Sequence, residues 1–196
     1  MKPVKNYDKI DVSERKFLPV GGYVCVIKKA EVKTYSGSNG DFEKLEICFD
    51  IAEGDEKGFF TADYKSQTSE DKKWRGKKQL YVPLDDGSEK DEWTQKALKR
   101  FTNAVEDSNK NYHWDWDETK LKGKLVGIIF QETEWEFKGR TGWSAQPAFF
   151  TSAENIRTDK YKIPDKKPLK NKSSEAIMKN PDIFVEADIS DEDMPF

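Results

Sequence analysis

The chain has 196 residues, 36% of them charged and 35% hydrophobic, with a formal net charge of −3. That length suits one domain plus tails. The 6 Trp, 7 Tyr and 12 Phe argue against a wholly disordered or collagen-like chain. Uncharged apolar runs such as Leu125–Phe130 are far too short to span a bilayer.

Residues 1–16 are polar, lack the apolar core of a signal peptide, and read as a flexible arm. Gly21-Gly22 introduces a β-rich run through Ile27 that ends near Val32, and Tyr35–Asp41 has loop composition. From Phe42 the pattern alternates. Leu45, Ile47, Phe49 and Ile51 fall on one face and Glu46, Cys48 and Asp50 on the other, which predicts a half-buried strand. Glu53-Gly54-Asp55 turns into Gly58–Tyr64, read as a third strand. A mobile basic loop then leads to a short strand or its return at Leu80–Pro83. Trp93, Ala97, Leu98, Phe101, Ala104 and Val105 recur at helical spacing, with Asp91 and Glu92 suited to a first turn, and predict a helix over 90–107. Strand character returns over 123–137, a turn follows at 138–142, and Trp143–Phe150 is the last strand. The Pro, Lys and Asn content of 158–185 reads as a polar basic linker, and 186–196 as an acidic tip.

Three strands, a helix and two strands predict a mainly β fold. The expectation is a five-stranded OB-fold barrel over 17–157 with one helix between strands 3 and 4, followed by a flexible acidic C-terminal tail. A β-sandwich is the alternative.

No catalytic constellation stands out, so the chain is not expected to be an enzyme, and no cofactor or metal is expected. His113 is alone and reads as a surface residue. Cys25 and Cys48 have no C-x-x-C spacing and read as structural thiols, in keeping with a cytoplasmic protein. Asp115 and Asp117 alternate with Trp114 and Trp116 and read as a structural turn before a magnesium pair. No phosphate-binding or nucleophile motif occurs.

Rings mixed with cations do stand out. Trp74 sits among Lys72, Lys73, Arg75, Lys77 and Lys78, close to Tyr64, while the final hairpin carries Trp135, Arg140 and Trp143. Single-stranded nucleic acid needs cations for its phosphates and flat rings for its bases. Tyr64, Trp74, Arg75, Lys77, Lys78, Trp135, Arg140 and Trp143 are therefore the candidate DNA-binding residues, with core packing the competing explanation for any one ring. From Ser173 to Phe196 the balance reverses, to seven acids against Lys179 alone, a pattern of interaction tails.

The chain ends Asp191-Glu192-Asp193-Met194-Pro195-Phe196. This resembles the C-terminal tip of bacterial single-stranded-DNA-binding proteins, three acids followed by Ile, Pro and Phe, with Met194 in place of Ile. The body, through Phe17–Tyr23, Phe49–Ile51 with Gly58-Phe59-Phe60, Lys99-Arg100-Phe101, Leu121–Lys124 and the closing hairpin, resembles a family of phage and prophage single-stranded-DNA-binding proteins of Gram-positive bacteria with an OB fold. The resemblance implies non-sequence-specific coating of single-stranded DNA in phage replication or recombination, in the cytoplasm of a bacterial host. It also implies recruitment of replication and recombination proteins by residues 191–196. No membrane partner is expected, and a homo-oligomer is compatible with the sequence. The competing hypotheses are an OB-fold adaptor without DNA binding and, more weakly, a nuclease subunit using Asp115 and Asp117.

Overall fold

The computed structural model describes residues 16–37 and 40–169, together with residues 2, 3, 5 and 7. The acidic tip, most of the N-terminal arm and the later part of the expected linker lie outside the described residues. Strands β1 (Gly21–Gly37), β2 (Gly40–Ile51), β3 (Lys77–Tyr81), β4 (Leu125–Phe137) and β5 (Arg140–Thr151) are joined in one antiparallel sheet in the order β3-β2-β1-β4-β5. No ladder joins β3 to β5 among the described residues, so the sheet is open along that seam. Helix α2 (Glu89–Ser108) falls between β3 and β4, as expected, and packs against β3, β4 and β5.

The alternation around Leu45 has the consequence a period of two requires. Leu45, Ile47, Phe49 and Ile51 are buried and join Ile27, Val126, Ile128 and Phe130 in the core, which Phe101 and Val105 enter from α2. Burial of Phe49, Phe101 or Phe130 stabilises the fold by about 2–3 kcal/mol each. Ser88 caps α2 by accepting from the Asp91 amide at 3.1 Å, and the buried Asp91 carboxylate accepts from the Leu84 amide. These bonds tie the helix start to the segment leaving β3.

The third strand expected at Gly58–Tyr64 is instead helix α1 (Phe59–Ser66). Its aromatic, strand-like composition is overruled by a buried carboxylate. Asp50, 3% exposed at the end of β2, accepts from the Phe60 amide at 3.0 Å and from the Thr61 hydroxyl at 2.5 Å. The carboxylate thereby caps the helix N-terminus from the end of the preceding strand. The third strand of the sheet is β3, which overlaps the short run read at Leu80–Pro83.

Both long hairpins exceed the expectation. β1 and β2 stay paired to Gly37 and Gly40, through a stretch read as loop. The β4–β5 turn is only Lys138-Gly139, both with positive φ (49° and 75°), the backbone that matches strand twist in two-residue hairpins. β1 covers β4 only as far as Phe130, so residues 131–137 and 140–146 project as a two-stranded arm.

The first part of the expected linker is folded. After α3 (Ala153–Arg157), the Lys160 amide bonds back to Asn155. Tyr161 and Ile156 lie so close over Gly22 that a Cβ there would come within 2.7 Å of each. Residues 165–169 then run along the edge of β4 that β1 has vacated, with a parallel bridge from Lys167 to Thr133 and bonds from the Glu134 amide to Lys167 O (2.9 Å) and the Lys167 amide to Glu132 O (2.8 Å). A lysine- and proline-rich stretch reads as solvated, but an open strand edge gives its backbone groups partners.

Candidate nucleic-acid interface

The outer face of β1, β2 and β3 follows from the register. Tyr35 opposes Phe42, Lys33 opposes Lys44, and Lys44 opposes Tyr81, so these side chains share the face opposite the core. Tyr35 and Phe42 stack at 5.7 Å with a 14° interplanar angle, and Phe42 lies 5.6 Å from Tyr81. Lys44 is 6% exposed. Its ammonium lies 4.8, 5.4 and 5.5 Å from the Tyr81, Phe42 and Tyr35 ring centroids, and the described residues offer it no carboxylate. Ring quadrupoles hold the cation where a counter-ion would be expected.

Farther along this face, Lys33 bonds Glu46 at 2.6 Å and Gln79 bonds both Glu46 and the Tyr35 hydroxyl. Burial works against ionisation of Glu46, but the Lys33 and Gln79 bonds prevail and hold its carboxyl below the ordinary range. The same bond raises Lys33. Lys29 is likewise paired with Glu31, at 2.7 Å. Several cations of this face are thus already paired, and its binding character rests more on its rings.

The basic loop places its residues in two environments. Trp74 is half-buried against the core, its indole N–H donating to Gly76 O at 2.9 Å and Phe49 O at 3.2 Å. The basic loop read as mobile thus holds its indole against the core, where the aligned carbonyls of a strand edge provide acceptors that offset the cost of burial. Tyr64, 37% exposed, lies 5.9 Å from Trp74, and Lys72 sits over its ring. Arg75 pairs with Asp63 at 2.9 Å. Lys77 belongs to the outer face, opposite Cys48, while Lys78 opposes Ile47 and so takes the core side. The Lys78 ammonium donates to Pro147 O of β5 at 2.9 Å. Burial, followed by the Lys167 charge, pushes it down to about 8.

The β4–β5 arm separates the remaining candidates. Trp135 opposes Gly142 and Trp143 opposes Glu134, so the two indoles project from opposite faces. Trp135 lies across Gly142, whose missing side chain makes room for the ring. Arg140 shares the face of Phe137 and Trp135 near the tip. Trp143 is 41% exposed, with Lys166 5.4 Å over its ring and bonded to Glu132 at 2.5 Å.

The structure thus brings Tyr64, Trp74 and Arg75 together at one end of β2, with Lys77 on the adjoining strand. It sets Lys78 into the seam and divides Trp135 from Trp143. The residues missed by sequence reasoning are Tyr35, Phe42 and Lys44, together with the clustering of Tyr81. Phe42 and Lys44 share the parity of Glu46, but only the cross-strand register shows that rings from three strands meet there. Asp191, Glu192, Asp193, Met194, Pro195 and Phe196 lie outside the described residues.

His113 is almost fully exposed, 3.1 Å from Glu106. Asp115 and Asp117 pair with Lys120, and Asp117 caps a 3-10 turn at Glu118–Leu121. Cys25 is fully buried, which raises its thiol, and Cys48 is half-buried. Among the described residues no helix is long and apolar enough to cross a membrane. No family model matches the chain, and no curated protein matches it.

Proposed function

We propose that the chain binds single-stranded DNA without sequence preference along the outer face of β2 and β3, from the Tyr35–Phe42–Tyr81 cluster towards Tyr64 and Trp74. The observation that carries this reading is Lys44, a buried ammonium that among the described residues is held by three half-buried rings and no carboxylate. Phosphate would supply the missing anion, and the rings are flat surfaces on which bases stack at about 1–3 kcal/mol each. Phe42 and Cys48, six residues apart on this face of β2, span roughly 20 Å at strand rise, which accommodates several nucleotides.

In this reading the sheet is an OB-fold barrel whose last seam, between β3 and β5, is closed by the Lys78 side chain instead of a ladder. The resemblance to phage proteins and the acidic, Phe-terminated tip support a role in phage replication or recombination in the bacterial cytoplasm, with residues 191–196 recruiting partner proteins.

The test is a fluorescence titration with oligo-dT over a range of salt, with duplex DNA as the control. A coating protein loses affinity steeply as salt rises. Phe42→Ala should weaken binding by about 5- to 100-fold, and Lys44→Met should reduce the salt slope by about one. Absence of binding at every salt concentration would favour the adaptor, and magnesium-dependent degradation of the oligonucleotide would favour the nuclease.

A further inference from the structure

We infer that two copies of this chain pair edge to edge through the free stretch of β5, Arg140–Gln146, forming an antiparallel two-fold dimer centred on Trp143. One edge of β5 pairs with β4 along its length, whereas the other has no backbone partner among the described residues beyond the Lys78 bond to Pro147 O. The remaining edges are protected. Residues 165–169 cover the vacated edge of β4, and β3 opens with Lys77-Lys78. Exposed strand edges are normally guarded by charge, proline or a covering segment.

Beyond Arg140 at its start, the free stretch of β5 has none of these guards. Thr141–Ala153 is the longest uncharged stretch of a chain that is 36% charged, and its proline, Pro147, stands just beyond the free stretch. Trp143 and Phe149, both on β5, are 41% exposed.

A second copy is the occupant that this composition fits. The free stretch is bounded by the Lys138-Gly139 turn at one end and by the Lys78–Pro147 bond at the other. Antiparallel self-pairing over its whole length therefore centres on Trp143. Arg140 of one copy then lies opposite Gln146 of the other, Thr141 opposite Ala145, and Gly142 opposite Ser144. The two Arg140 side chains sit at opposite ends, so no like charges meet across the pairing, and the two Trp143 rings share one face at the axis. Lys166, beside each ring, is already paired with Glu132. The bodies of the two copies lie at opposite ends of the paired arms. So short an interface is weak, with a dissociation constant of roughly 1–100 µM.

The proposal goes beyond DNA binding and is tested without DNA. Sedimentation equilibrium of the full chain across that concentration range should show a monomer–dimer equilibrium. Trp143→Lys and Trp143→Glu should each be monomeric, with unchanged circular dichroism. Their equimolar mixture should regain the dimer, because the introduced ammonium and carboxylate face each other at the axis. In the wild-type chain, amide exchange over 140–146 should slow as concentration rises. A wild-type monomer throughout, variants that dimerise as before, or concentration-dependent protection elsewhere than 140–146 would overturn the proposal.

Discussion

The Lys78 ammonium donates to the Pro147 carbonyl oxygen at 2.9 Å, joining residues 69 positions apart on strands that share no ladder among the described residues. The bond bridges the two edges of the sheet and makes a basic residue part of the fold. Burial and the nearby Lys167 charge push the ammonium from 10.5 down to about 8. The unfolded chain therefore keeps this proton to higher pH than the folded chain.

Between about pH 8 and 10.5 the unfolded state binds more protons at this site, so stability rises with pH there. Relative to Lys78→Met, the wild type should gain about 1–3 kcal/mol from pH 7 to pH 10. Cys25, raised by burial and by Asp50, acts in the opposite sense but equally in both proteins, so it cancels. Denaturant titrations of the pair at several pH values measure the difference. A constant difference would place the ammonium in water.

A chain ending at residue 157 should be less stable than one ending at 169 by about 2–4 kcal/mol. It loses the Lys160–Asn155 bond, both backbone bonds of Lys167 with β4, and the cover of Tyr161 over Gly22. The chain ending at 169 should match the full chain within about 0.5 kcal/mol. Thermal melts of the three lengths decide whether 158–169 belongs to the fold.

Gly142→Ala should disturb the arm. The added Cβ would come within 2.5 Å of the Trp135 ring, so the indole must move or the strands must part. The expected cost is about 1–2 kcal/mol, with faster amide exchange over 131–137 and a shift in tryptophan emission. Unchanged exchange would mean that Trp135 does not rest on Gly142.

Removing residues 186–196 should tighten binding to oligo-dT, most visibly at low salt, because their acids compete with phosphate for the same cations. Phe196→Ala should leave DNA affinity unchanged and abolish capture of replication or recombination proteins. Weaker DNA binding after the deletion, or undiminished capture by the Phe196 variant, would contradict the role proposed for the tip.

Periodicity alone determined that Leu45, Ile47, Phe49 and Ile51 line the core and that a helix runs between the third and fourth strands. A period of two or of 3.6 is set locally by the backbone. The strand-like run at Phe59–Tyr64 became a helix because Asp50, outside that run at the end of β2, caps it. Trp74 found acceptors on a strand edge that no local pattern reveals, and residues 165–169 took partners that only the early departure of β1 left open.

The candidate interface divides in the same way. Its ring-and-cation composition was legible in the sequence, but not which residues share a face. Cross-strand register decided that, gathering Tyr35, Phe42, Lys44 and Tyr81, committing Lys78 to the seam, and setting Trp135 and Trp143 on opposite faces. A sequence determines which side of its own strand a residue takes. Which residues meet depends on pairing between distant segments, and only the tertiary structure fixes that.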